Sequence, residues 1–281
     1  MGAHYYLLSS LPALSLEMKR GVPEVRQVFL YCGEQLGTAD FEQVRRLFLF
    51  NDIKNTVFFH FNDRKSNRQY MSPAYYDEAT YVENLKDPAS FFPFLARFHE
   101  LAREERRIYP DLPYTDEVTA FFYDDLDELV DGFLAEWYRF ELDLRNATVA
   151  LAHRQNGLPI TEKLIPSGLV WEAARRDPSV PDLGLGSSFP ALGELVAWEG
   201  GLTGYERLIE DLRWRWLDER TQGFEFTTDQ VLAYLVRLMS VTRWHGLRAE
   251  DGEAAFQKLM DTVSRSIRSS VQFATSGEQQ P

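Results

Sequence analysis

The densest group of titratable side chains is the run Asp124, Asp125, Asp127 and Glu128, with Asp131 close behind. Paired carboxylates can split their pKa values for acid–base work, or hold a divalent cation. On a continuous helix Asp124, Asp127, Glu128 and Asp131 would fall at i, i+3, i+4 and i+7 and share one face. No histidine stands beside them, and a solvated face near a helix start, favoured by the helix dipole, accounts for them without chemistry. A docking surface for a basic partner is the intermediate reading. The five histidines, His4, His60, His99, His153 and His245, are scattered, and none has the spacing His-Glu-x-x-His or Glu-x-x-His. No Gly-Lys-Ser/Thr phosphate loop and no Gly-x-Ser-x-Gly elbow occurs, and Cys32 has no neighbouring histidine to activate it. Gly184, Gly186 and Ser187 read as a linker. The sequence therefore points to no catalytic residue, no cofactor and no metal site, and an enzyme would have to assemble its site from distant residues.

A different pattern recurs. Asp52-Ile53-Lys54-Asn55 and Asp143-Leu144-Arg145-Asn146 are copies of one tetrad, preceded by Leu49-Phe50-Asn51 and Phe140-Glu141-Leu142. A third stretch, Leu238-Met239-Ser240-Val241-Thr242-Arg243-Trp244, keeps only the basic residue and the apolar flank. Aligned on the basic residue, the copies are 91 and 98 residues apart, which is domain scale, well above the 20–50 residues of solenoids and propellers. Asp52, Lys54, Asn55, Asp143, Arg145, Asn146 and Arg243 are thus candidates for contacts with a partner or between modules. Residues at i and i+2 of a helix do not face each other, so the acid and base of a tetrad must point to different neighbours. In one reading they pair elsewhere in the protein while the asparagine caps or crosslinks helices. In the other, three polar patches around a pseudo-threefold axis line a socket.

The elements that would position these residues are helical. From Thr115, a plausible N-cap, Val118, Phe121, Phe122, Leu126, Leu129, Val130, Phe133, Leu134, Trp137, Leu144 and Leu151 follow a 3.6-residue period. The spacing predicts one very long helix, or two joined near Gly132. Tyr205 to Leu217, Val231 to Met239 after the cap signal Thr227-Thr228-Asp229, and Ala254 to Ile267 predict further helices. Proline and glycine mark joints at Tyr109 to Pro113 and at Pro159 to Pro190, between the copies of the tetrad. The expected organisation is all-α, with a first helical module at 1–112, a second module core at 113–165, and a third module at 166–281 ending in a frayed tail from Ser269.

Composition sets the context. A chain of 281 residues, 44% hydrophobic, can build its core without metal or disulfide, and the net charge of −13 argues against nucleic acid. An acidic body suits a basic protein partner. The one cysteine cannot form an internal disulfide, which fits a reducing compartment. No apolar run approaches the length of a membrane span, and Tyr5-Tyr6-Leu7-Leu8, lacking a basic region before it, reads as core rather than as a signal peptide.

At the tetrads a family resemblance enters. Together with the stretch from Phe226 through Val231, Leu232, Tyr234 and Leu235 to Arg243, Trp244, His245, Gly246 and Leu247, they resemble the C subunit (d in eukaryotes) of V/A-type ATPases. Tyr5 to Ser15, with Phe50 to Asn55, are similar to an uncharacterised bacterial family encoded among V-type ATPase subunits, in clusters lacking an ordinary C subunit. The resemblance spans nearly the whole chain and implies three homologous helical modules forming a funnel-like, elongated body. The implied function is a non-catalytic rotor spacer that seats the central shaft subunits on the membrane proteolipid ring, at the cytoplasmic face and without entering the bilayer. The third copy departs from that pattern, with Val241 where an acid is expected and Trp244 where an asparagine is common. The alternatives are a helical adaptor unrelated to ATPases and an enzyme with a fold-assembled carboxylate site.

Overall fold

One helix of 24 residues, Gly132–Gln155, about 36 Å long at 1.5 Å per residue, touches both large apolar cores of the molecule. The computed structural model describes residues 2–18, 20–61, 70–223 and 226–248. In chain order the helices are α1 (Gly2–Ser10), α2 (Val25–Gln35), α3 (Thr38–Arg46), α4 (Leu49–His60), α5 (Glu78–Asn84), α6 (Pro93–Arg103), α7 (Tyr114–Asp124) and α8 (Leu126–Leu129). They are followed by α9 (Gly132–Gln155), α10 (Gly168–Arg176), α11 (Pro190–Val196), α12 (Leu202–Thr221) and α13 (Thr228–Arg248). Among the described residues no strand occurs, and no helix is long and apolar enough to cross a membrane. The helix expected over Ala254 to Ile267 and the tail from Ser269 lie outside the described residues.

The first core is aromatic. Phe50 meets Phe122 and Tyr138 at ring-centroid distances of 5.4 and 5.1 Å, and Phe122 meets Tyr138 at 4.9 Å, joining α4, α7 and α9. The two contacts of Tyr138 are edge-to-face and add specificity to burial because the ring edge is positive and the face negative. The same core takes in Leu7 of α1 and Val231, Leu232, Leu235 and Leu238 of α13, so the two ends of the described chain close on each other. The second core forms beyond Leu142 of α9: Leu144, Ala147, Ala150 and Leu151 pack with residues of α10, α11 and α12. Trp216 of α12 lies against Trp137 and Phe140 of α9, at 5.4 and 5.3 Å between ring centroids.

The sequence reading needs four corrections here. The stretch expected from Thr115 as one very long helix, or two joined near Gly132, is three helices: a joint falls at Gly132, a further break comes at Asp125, and the first helix starts at Tyr114 after Pro113 rather than at a threonine cap. Val130 and Asp131 are extended and Gly132 takes φ +49, a conformation glycine adopts without a Cβ penalty. Leu129 and Val130 before this break and Phe133 and Leu134 after it are all buried. Consequently Asp124, Asp127, Glu128 and Asp131 do not share a helical face, although all four are exposed. Asp124 pairs with Arg97 at 2.9 Å and Asp127 with Arg139. The joint at 159–190 is not only loop, because α10 forms within it where Val170, Ala173 and Ala174 bury against the second core. Finally, of the opening apolar run only Leu7 is fully buried, while Tyr5 and Tyr6 are exposed.

Candidate functional site

All three copies of the tetrad pattern lie on helices, α4, α9 and α13. In the first, Asp52 and Asn55 are one turn apart and completely buried, and both bind the backbone that follows the helix. The Asp52 carboxylate accepts the N–H groups of Tyr75 and Tyr76 at 2.7 and 3.1 Å. Asn55 accepts from the Met71 N–H at 2.8 Å and donates to the Met71 carbonyl at 3.1 Å. Asn51 adds a bond to the Pro73 carbonyl at 2.8 Å, and Arg45 one to the Tyr75 carbonyl, also at 2.8 Å. The second copy repeats this arrangement. Asp143 accepts the Val170 N–H at 3.0 Å in the first turn of α10, an N–H that has no partner within its own helix. Asn146 accepts the Ile165 N–H at 3.0 Å and donates to the carbonyls of Ile165 and Ser167. Each acid–asparagine pair therefore fixes the segment leading into the next short helix, α5 or α10.

Burial is the main influence on both acids. It pushes the Asp52 carboxyl up to about 7, against the lowering effect of the two N–H bonds, and the Asp143 carboxyl up to about 6. The third copy keeps the positions buried but changes their chemistry. Val241 and Trp244 pack with Leu16 from the start of the chain, so both positions join an apolar cluster.

The basic residues take different directions. Arg145 turns to Asp116 of α7 at 2.7 Å, to the Lys163 carbonyl at 3.0 Å and to the Asn146 side chain. Lys54 and Arg243 instead line one open groove of about 260 Å³ between α4, α9, α12 and α13. Seven residues before each basic residue stand Leu47, Tyr138 and Val236, and four residues before stand Phe50, Glu141 and Met239. All six line this groove.

Two residues of α12 complete its charge pattern. Arg213 grips Glu141 with two bonds, at 2.5 and 2.9 Å, and reaches Glu210 at 3.1 Å. Glu210 is fully buried and is also met by Arg243 and the Ser240 hydroxyl. Both groove carboxylates are thus satisfied by arginine. Lys54 makes no hydrogen bond or ion pair within the described residues. Its surface is exposed, yet the groove walls desolvate it and, with Arg243 as the second influence, hold its ammonium below the usual lysine value. Sequence reasoning passed over Glu141, Glu210 and Arg213. The spacing of Glu210 and Arg213 at i, i+3 was legible as a helix pair, but nothing in the sequence tied it to Lys54.

The remaining titratable groups have neighbours of their own. His99 shares a bond with the Tyr81 hydroxyl at 3.2 Å, and burial lowers its pKa to about 4. His4 meets Thr228, His153 the Pro159 carbonyl, and His245 the Met18 carbonyl. Cys32 is buried and its thiol is pushed up to about 12, which keeps it protonated and a poor nucleophile. Among the described residues no three His, Cys, Asp or Glu side chains stand close enough together to hold a metal ion.

A family model described as "Protein of unknown function (DUF2764)" matches residues 1–267. No curated protein and no solved structure matches the chain.

Proposed function

The chain belongs to the DUF2764 family, and we propose that it is a non-catalytic rotor spacer of a V/A-type ATPase, seating the central shaft on the membrane proteolipid ring. The observation that carries this reading is the convergence of α4 with the turn before it, α9 and α13 on one open groove through matching positions, Leu47, Tyr138 and Val236 with Phe50, Glu141 and Met239. Three related modules set around an axis would present equivalent positions to a common centre in this way. In this reading the modules form a funnel, the groove lies at its centre, and the protein stays at the cytoplasmic face by holding the ring.

A part that transmits torque needs closely packed helices with low compressibility and a polar seat open to a partner; it needs no reaction centre. The aromatic first core and the arginine–carboxylate bonds across α9, α12 and α13 supply the first requirement. The groove supplies the second. The test is to tag a catalytic ATPase subunit in the source cell, purify the active complex, and quantify its subunits by mass spectrometry. The chain is expected at a fixed ratio to the shaft subunits. Its absence from an intact complex that pumps ions on ATP ends the proposal.

A further inference from the structure

Building on the rotor-spacer reading, we infer that the groove takes a carboxylate borne by a partner polypeptide, an Asp or Glu side chain or a chain terminus, held between Lys54 and Arg243. Charge complementarity leads to this occupant. Three cationic groups, Lys54, Arg213 and Arg243, face two carboxylates, Glu141 and Glu210, and the arginines satisfy both. One positive charge is left over, on the one groove cation that has no partner within the described residues, in a chain whose net charge is −13. At about 260 Å³ the groove is smaller than most small-molecule sites, which begin near 300 Å³, and suits one inserted side chain. Phe50 and Trp137 on its walls would cover the apolar stem of such a side chain. A carboxylate held there would favour the charged ammonium, against the lowering of its pKa by the groove walls and Arg243.

Carbodiimide treatment of membranes containing the full-length chain, followed by mass spectrometry, tests the inference. The reagent activates a carboxylate, and an amine in contact attacks the activated carbonyl, forming an isopeptide bond and releasing the urea. Lys54 is expected to be joined to an acidic residue or terminus of another polypeptide. In purified components Lys54→Glu should weaken that association at least about 30-fold, the equivalent of roughly 2 kcal/mol lost at a desolvated charge pair. Lys54→Arg should retain association but lose the crosslink. An unchanged melting temperature in both variants shows that folding is intact.

A crosslink to a polypeptide that is neither a shaft subunit nor a ring proteolipid would uphold the groove inference and overturn the rotor-spacer reading. A chain that copurifies with the ATPase, while Lys54 stays unlinked and Lys54→Glu assembles normally, would overturn the groove inference alone. Protection of Lys54 from acetylation by millimolar phosphate or acetate, with no crosslink, would make this a small-anion site and also overturn it.

Discussion

The buried polar residues of the first two tetrads act on the backbone and not on each other. Asp52 neutralises two N–H groups that would otherwise be buried without acceptors, and leaving a buried donor unsatisfied costs about 1–3 kcal/mol. Asp52→Ala should therefore lower stability by about 2–5 kcal/mol, and Asn146→Ala, which releases the Ile165 N–H, by about 1–3 kcal/mol, in denaturant titrations. The acids also make a prediction about pH. The folded pKa of Asp52, about 7, lies above the ordinary 3.8, so the folded protein holds this proton more tightly than the unfolded chain. The resulting stability is fully present below pH 4 and is lost as pH rises through 7, on the order of a few kcal/mol. Asp52→Asn cannot titrate, so its stability curve between pH 4 and 7.5 should be flatter than that of the parent protein, whatever constant cost the amide adds. Parallel curves would mean that the burial of Asp52 does not shift its ionisation.

At the scale of elements, α9 holds Arg145 inside the fold while α4 and α13 direct Lys54 and Arg243 to the groove. Arg145→Glu would place two carboxylates together at Asp116 and lose the bond to the Lys163 carbonyl, for a cost of about 1–3 kcal/mol and a melting temperature several degrees lower. Lys54→Glu breaks no bond within the described residues and should stay within about 0.5 kcal/mol of the parent. Equal effects of the two reversals on thermal unfolding would contradict this division of roles. The turn between α9 and α10 is just as specific. Gly168 has φ +87, and a Cβ there would lie 2.6 Å from the Asp143 carboxylate. Gly168→Ala should cost about 1–3 kcal/mol through backbone strain and displacement of Asp143, seen as weaker hydrogen-exchange protection at Val170.

Over the whole molecule, the first core joins elements from both ends of the described chain. Leu7 is fully buried in it beside α13, and His4 bonds to Thr228, whose hydroxyl donates to Asp40. Leu7→Ala removes buried methyl groups from a site bounded by sequence-distant helices, so it should cost about 2–5 kcal/mol. Because α9 belongs to both cores, the loss should appear as one cooperative transition at a lower temperature, followed by circular dichroism and tryptophan fluorescence together. Two separated transitions would show that the second core unfolds independently of the first.

The sequence by itself determined the helical class, the helices carrying the second and third copies, and the opposed directions of acid and base within a tetrad. All of these follow from local rules: a 3.6-residue period, cap and breaker residues, and the angle between positions i and i+2. A joint near Gly132 was one of two readings open to the sequence, whereas the break at Asp125 between α7 and α8 escaped because the apolar residues around it keep a helical period. The use of Asp52 and Asp143 as backbone acceptors, the pairing of Arg145 with Asp116, and the meeting of Lys54 with Arg243 were decided by tertiary structure. Glu210 and Arg213 entered the groove only because α12 packs its tryptophan face on α9. Such contacts join residues tens to hundreds of positions apart, and their partners depend on how helices cross, which no periodicity within one helix encodes.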